Sequence, residues 1–318
     1  MFVLRDGEID TGVSEPSVVT IGVFDGLHRG HQAVIAQVVA LARQYDARST
    51  VVTFDPSPAM VLAPLKAPLL LATLDQRLEG LEALGVDQVR VITFDDVLKL
   101  ETARHFIERV LVGELRACCV VVGEDFHFGH NREGTVAMLV DVGAQLGFDV
   151  VPAPLYGDVE RWSSTSVRSA LENGDLADAE RVLGHPFVLR GVVGHGDARG
   201  ESLGYPTANL ALAPHQALPR EGVYAGATRL DGSWWPAAIS VGTRPQFYED
   251  GALLVEVYVP GFEGDLYDLD LEVTFLARLR EQMTFQSVDE LTAHIEDDVV
   301  KTLEIFEEYS SGDRKLLG

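Results

Sequence analysis

The chain has 318 residues, of which 47% are hydrophobic and 23% charged, and its formal net charge is −24 at pH 7. That length suits about two domains, each burying its own core. The acidic balance argues against a nucleic-acid or acidic-membrane partner, because such binders present a positive surface; an anionic ligand would need cations gathered locally.

The chain opens on Met1-Phe2-Val3-Leu4-Arg5-Asp6-Gly7-Glu8, which lacks the basic flank and long apolar run of a secretion signal. Nowhere do roughly 18 apolar residues run together, so no spanning helix is expected. Residues 18–21 form a β-branched strand, a glycine-bearing turn follows, and residues 32–43 carry apolar side chains at helical spacing. Residues 48–54 read as a second strand that ends in the loop Asp55-Pro56-Ser57-Pro58. A helix over 74–84 closes on Gly85, followed by strand 86–94, helix 103–112 and strand 118–122. The last of these holds the two cysteines, Cys118 and Cys119, whose side chains point to opposite faces. No disulfide is expected, and a reducing cytoplasm is the expected compartment. Helix 133–146 and strand 148–151 complete an alternating pattern with near-continuous apolar strands. That pattern predicts an α/β domain whose parallel, Rossmann-like sheet is covered on both faces. Ligands of such sheets bind beyond the C-terminal strand ends, where residues 22–31, 54–58 and 123–130 converge.

Two short helices, 166–172 and 176–183, lead to Gly184-His185-Pro186. Beyond them come short β-rich runs at 187–193, 222–229, 234–241, 253–259 and 271–279, separated by Gly, Pro and Asp turns. They predict a small antiparallel β-barrel. A terminal amphipathic helix over 287–309 opens on Ser287 with Glu290 three residues on, a capping box. The expected division is therefore 1–184 and 185–318.

The stretch Gly22-Val23-Phe24-Asp25-Gly26-Leu27-His28-Arg29-Gly30-His31 sets two imidazoles three apart at a strand–helix junction. There His28 and His31 share a helix face, and the free N–H groups of the first turn can meet an anion. Two histidines alone would be ordinary surface residues; Gly22, Gly26 and Gly30 tip the reading towards a nucleotide-phosphate site. Ser163-Ser164-Thr165-Ser166, just before Arg168, reads either as a helix cap or as a set of phosphate donors. Gly123-Glu124-Asp125-Phe126-His127-Phe128-Gly129-His130 offers two aromatic rings at a strand end, either to stack a flat ligand or to fill core. In the second half, residues 194–204 are glycine-rich, Gly196 and Gly204 included, and suit a loop around phosphates whose exit Pro206 stiffens. Thr207 and Asn209 alternate onto one strand face as hard oxygen donors of the kind Mg²⁺ accepts.

Residues 22–31 resemble the signature of nucleotidylyltransferases related by fold to the class I aminoacyl-tRNA synthetases. Arg161-Trp162-Ser163-Ser164-Thr165-Ser166-Val167-Arg168 resembles their second motif. Further pieces are Gly222-Val223-Tyr224-Ala225, Val241-Gly242-Thr243-Arg244-Pro245-Gln246-Phe247, Glu256-Val257-Tyr258, Gly264-Asp265-Leu266-Tyr267 and Met283-Thr284-Phe285. With them, essentially the whole chain resembles the bacterial bifunctional riboflavin kinase/FMN adenylyltransferase family. The resemblance implies an adenylyltransferase domain followed by a riboflavin kinase domain, with riboflavin, FMN and ATP as substrates, FAD as product and Mg²⁺ as cofactor. It implies that His28, His31, Ser164, Thr165 and Arg168 contact ATP, the histidines and Arg168 as catalytic groups, in a pocket shaped by Gly22, Phe24, Asp25 and Gly30. Asp125, Phe126 and, in the barrel, Arg244 would lie at the flavin. Gly196, Gly204 and Pro206 would hold the kinase nucleotide and Thr207 and Asn209 the Mg²⁺. Glu256 would take the proton from the ribityl 5′-hydroxyl, a role suited to a carboxylate.

Four positions depart from the family pattern: Ser57 in place of histidine, Trp162 of isoleucine, Glu201 of arginine and Gln246 of threonine. They motivate an alternative, a paralogue that keeps one activity or takes a flavin analogue. A non-catalytic flavin- or nucleotide-binding regulator is a third reading, against which His28, His31, Thr207, Asn209 and Glu256 speak. Small molecules are the expected partners, and the oligomeric state is left open.

Overall fold

The computed structural model describes residues 1–8, 15–158, 161–194, 204–243 and 253–311. By packing, the chain divides into one unit of Met1–Pro68 with Leu74–Ser163 and a second of Leu69–Thr73 with Ser164–Gly318.

The first unit runs β1 (Phe2–Leu4), β2 (Ser17–Ile21), α1 (Arg29–Tyr45), β3 (Arg48–Phe54), α2 (Pro58–Leu62), α3 (Leu74–Ala83) and β4 (Gln88–Ile92). It continues with α4 (Ala103–Phe106, extended by a π-helix over Ile107–Glu114), β5 (Ala117–Gly123), β6 (His127–Phe128), β7 (Gly134–Thr135), α5 (Val136–Leu146) and β8 (Asp149–Ala153). Among the described residues, six strands form one sheet in the order β1-β4-β3-β2-β5-β8, with every pairing parallel. Strands β2 and β4 are buried along their whole length, as expected of apolar runs flanked by strands and covered on both faces. Side chains alternate between the faces. Val18, Cys119 and Val121 pack with Val38 and Ala42 of α1, whereas Val19, Val120 and Val122 pack with Leu111 of α4 and Leu139 of α5.

The helix expected over 103–112 runs on to Glu114 with wider turns. Arg109 in it bonds Glu114, five residues on, at 2.8 Å and holds Glu101 through two bonds of 2.7 and 2.8 Å. A spacing of five suits π geometry, which periodicity of 3.6 does not reveal. The chain passes from β2 outwards through β3 to β4, then returns to lay β5 on the other side of β2. The loops leaving β2 and β5 therefore diverge at the switch point of the sheet, where α/β folds bind ligands.

The second unit holds α6 (Ser164–Asn173), α7 (Leu176–Leu183), β9 (Phe187–Gly194), β10 (Ala208–Leu212), β11 (Gly222–Leu230), β12 (Ser233–Thr243), β13 (Leu253–Tyr258), β14 (Asp270–Arg280) and α8 (Val288–Ser311). The barrel closes in the order β10-β13-β12-β11-β14-β9, antiparallel throughout. Strand β11 is almost wholly buried because α8 covers its outer face, with Ala227, Leu276 and Tyr309 in one cluster. Arg280 clamps α8 through Asp298, at 2.7 and 3.0 Å. Half of the capping box forms: the Glu290 amide donates to Ser287 Oγ at 3.1 Å, whereas the Glu290 carboxylate accepts from the amide of Gln286, one residue before the cap, at 2.8 Å. Helices α6 and α7 pack with the barrel; the Arg220 amide donates to the Leu171 carbonyl at 2.8 Å and Tyr309 Oη to Glu180 at 3.1 Å. The packing division thus falls after Ser163, and the 184/185 division falls at Gly184, the left-handed cap that ends α7.

Candidate active site

Strand β2 ends in a turn of unusual backbone. Phe24, Gly26 and Leu27 have φ of 55°, 75° and 43°, and His28 then caps α1. Its Nδ1 accepts a hydrogen bond from the His31 amide at 3.4 Å. The two imidazoles stack with centroids 3.6 Å apart, and the Phe24 ring meets His31 edge-on at 5.1 Å. Burial pushes the His31 imidazole well below its ordinary pKa, and the neighbouring His28 adds to the shift. His31 is therefore neutral near pH 7, and among the described residues its buried Nδ1 has no hydrogen-bond partner. A Cβ at Gly30 would lie 3.0 Å from His28 Cε1, so only glycine leaves this stack undisturbed.

These groups line a cavity of about 170 Å³ at the ends of β2, β5 and β8, with Gly22, Phe24, His28, Gly30 and His31 on one wall. Asp125, Arg161, Trp162 and Ser163 form part of the other. Arg161 pairs with Asp125 at 2.8 Å, and the Arg29 guanidinium lies over the Trp162 ring at 5.7 Å. Asp25 is buried at 4% exposure, and its charge acts on Arg77.

A second cavity, of about 440 Å³, opens at the ends of β2 to β5. Phe54, Phe94, Phe106, Phe126 and Phe128 supply aromatic walls, and Lys99, His127, His130 and Arg132 stand among the lining residues. Phe126 stacks on Phe128 at 5.4 Å and 15°, and both also pack against the core. Both rings thus pack against the core while lining the cavity. Glu101, also in the lining, is opposed by burial but held below the usual carboxylate range by Arg109 and His105. The loops expected to converge on one site line two neighbouring cavities that share Ile21.

In the second unit, Ser164 and Thr165 open α6, and Arg168 Nε donates to the Leu69 carbonyl at 2.6 Å. Asn209 of β10 is the direct cross-strand partner of Glu256 on β13, which in turn faces Ser240 on β12. All three are half-buried on the face opposite the core residues Leu210, Val255 and Ile239. Thr207 is half-buried and comes just before β10, Pro206 is exposed, and Gly204 takes φ of 85°. Gln282 Nε2 bridges Ser240 Oγ and the Val241 carbonyl, both at 3.0 Å, which ties the segment after β14 to this face. Gly196, Arg244, Glu201 and Gln246 lie outside the described residues.

Comparison with known proteins bears on both units. A family model described as FAD synthetase matches residues 10–166, and one described as riboflavin kinase matches residues 183–306. A bifunctional riboflavin kinase/FMN adenylyltransferase from Pseudomonas fluorescens is 41% identical, over 89% of this chain and 90% of its own. The Escherichia coli K12 protein of that name is 39% identical, over 92% and 93%. The chain belongs to the bifunctional riboflavin kinase/FMN adenylyltransferase family. It phosphorylates riboflavin to FMN and adenylylates FMN to FAD, using ATP in both reactions. A crystal structure described as a macrolide-efflux protein from Streptococcus pneumoniae superposes with a TM-score of 0.85 at 30% identity, covering 95% of this chain and 99% of that one. Among the described residues, no helix here is long and apolar enough to cross a membrane.

The aromatic cavity is of a size usual for small-molecule sites. Trp162, one of the four departures, lines the histidine cavity, whereas Ser57 is buried between β3 and α2. The sequence reading missed Arg77, the bulkiest of the fully buried side chains, at 2% exposure. The signal was an arginine on the apolar stripe of the 74–84 helix, three residues after Leu74 and one before Leu78.

Proposed function

We propose that residues 1–184 carry FMN adenylylation and residues 185–318 riboflavin phosphorylation, with the residue roles that follow. In the first reaction an FMN phosphate oxygen attacks the α-phosphorus of ATP and pyrophosphate leaves. No covalent intermediate with the protein is needed, so the work is positioning and stabilisation of phosphate charge. The neutral His31 ring, the stacked His28 and the N-terminal amides of α1 offer donors to the phosphates, while Phe126 and Phe128 hold the flavin ring. Asp125 borders the phosphate end, and Ser164, Thr165 and Arg168 supply further contacts to ATP. The observation that carries this reading is the His28–His31 stack at the mouth of a phosphate-sized cavity beside an aromatic one.

In the second reaction Glu256 accepts the proton of the ribityl 5′-hydroxyl as that oxygen attacks the γ-phosphorus of ATP, whose bond to the β,γ-bridging oxygen breaks so that ADP leaves. Gly196, Gly204 and Pro206 shape the nucleotide loop and Arg244 lies at the flavin. Support comes from the register, which makes Glu256 and Asn209 direct neighbours. The donor set also fits Mg²⁺: a hydroxyl at Thr207, an amide oxygen at Asn209 and a carboxylate beside them are hard oxygens that leave ligand positions for phosphates. When bound there by Thr207 and Asn209, the metal would neutralise phosphate charge.

The test is purified protein with ATP and Mg²⁺, given riboflavin or FMN, with products separated by chromatography. Glu256→Gln should lose FMN formation and keep FAD formation from supplied FMN; loss of both would refute the division of labour. His31→Ala should do the reverse, and undiminished FAD synthesis would remove the histidines from the site.

A further inference from the structure

Two residues of the Val23–Leu27 turn take a backbone that is costly on its own. Phe24 and Leu27 both take left-handed backbone, each against a penalty of about 1–2 kcal/mol for a residue with a Cβ. Such strain persists only where the surroundings over-determine it. Here Gln32 of α1 donates to the Leu27 carbonyl at 2.8 Å, and β3 and α3 hold the rest of the turn. Arg77 Nη1 donates to the Val23 carbonyl at 2.8 Å, to Thr53 Oγ1 at 3.0 Å and to the Phe54 carbonyl at 3.4 Å. Thr53 Oγ1 itself donates to the Val23 carbonyl at 3.2 Å. One turn further along α3, Gly80 sits so close to Leu27 that an added Cβ would collide with Leu27 Cδ1. The guanidinium is buried, which disfavours its charge, and the nearby Asp25 and Asp55 carboxylates offset this.

The two carbonyls that Arg77 joins belong to different walls. Val23 lies in the turn that carries Phe24, His28 and His31 around the phosphate cavity, and Phe54 is a wall of the aromatic cavity. We infer that Arg77 is a positioning residue for adenylyl transfer: from α3 it fixes the histidine turn against the end of β3, and so sets the distance between the bound flavin and the phosphates. It touches no substrate. The inference rests on the reading of the histidine cavity given above. The rigid planar guanidinium holds Nη1 at the Val23 carbonyl while Nη2 lies 3.5 Å from the Phe54 carbonyl, an arrangement that a lysine ammonium, one nitrogen on a flexible stem, does not reproduce.

The experiment is Arg77→Lys in the full chain, which keeps the buried cation beside Asp25 and Asp55 but loses the bridge. FAD formation from FMN and ATP should fall about 100-fold in kcat, the scale of a displacement near 1 Å at a reacting centre. FMN should still titrate as many sites as in the native protein, with its Kd within about threefold, because Phe126 and Phe128 stay in place. FMN formation from riboflavin should be unchanged. A kcat within twofold of native overturns the inference. So does a loss of FMN sites in proportion to lost turnover, which would make Arg77 a residue of the fold alone. If Arg77→Lys does not fold, Thr53→Val decides: it keeps a β-branched strand residue, removes the hydroxyl between Arg77 and Val23, and should lower kcat at least fivefold with FMN sites retained; unchanged kcat overturns the inference. His31→Ala is assayed alongside. If it leaves FAD synthesis intact, the reading of the cavity has failed, and that outcome is distinct from an effect confined to Arg77.

Discussion

Phe126→Leu isolates what the aromatic cavity contributes to flavin binding. The ring stacks on Phe128 at 5.4 Å with planes 15° apart, and it lines the cavity of about 440 Å³. Leucine keeps an apolar side chain packed against the core formed by Phe106, Leu139 and their neighbours, so the fold is retained. What is lost is one flat face. Aromatic pairing is worth about 0.5–1.5 kcal/mol beyond burial, which corresponds to an increase of about 2- to 13-fold in the KM for FMN. The assay is FAD formation at saturating ATP over a range of FMN, with FMN binding followed by flavin fluorescence without ATP. FMN formation from riboflavin serves as the internal control and should not change. An unaltered KM, or a fall in kcat with KM constant, would refute the assignment of this ring to the flavin.

Three further outcomes are expected. The folded pKa of His31 lies below its unfolded value of about 6.5, so the unfolded chain binds the extra proton first; stability is complete above that pH and declines as pH falls below it. Thermal unfolding against pH should show this slope, and His31→Gln should flatten it; an equal slope in both proteins removes His31 as the cause. Asp298→Ala strands the Arg280 guanidinium beneath α8 and should cost about 3 kcal/mol in denaturant unfolding; a change below about 0.5 kcal/mol would show that the pair does not anchor the helix. Cys118 and Cys119 are both free, and burial pushes the Cys119 thiol up to about 11. At pH 8 a thiol reagent should therefore leave Cys119 unmodified until denaturant is added, and rapid labelling of both cysteines in the native protein would contradict this.

Much of the architecture was legible because it rests on period. The β-branched runs at 48–54 and 118–122, each caught between turn signals, became β3 and β5 with shifts of a residue or less. The histidine turn stood out because its glycines and imidazoles are adjacent in the chain. The aromatic cavity was not legible, since Phe54, Phe94, Phe106 and Phe126 come from separate segments and only the sheet order brings them together. Strand β1 was missed for a different reason. Three residues are too few to display alternation, and its partner β4 lies more than eighty residues away. The role of Arg77 was hidden because a charged residue on an apolar helix stripe reads as an interruption; its acceptors are backbone carbonyls, which no side-chain pattern records.

The order of the parallel sheet also sets what backbone its margins offer to another strand. An open sheet has two margins, and each is a template for pairing with another chain. Within the first unit those margins are β1 and β8. The first is three residues long. The second carries the exposed Pro152, which has no amide hydrogen to offer a newcomer, and begins at the exposed Asp149. The barrel, being closed, has no margin at all among its described strands. A strand arriving from a neighbouring molecule finds too little backbone on one side and a missing donor on the other.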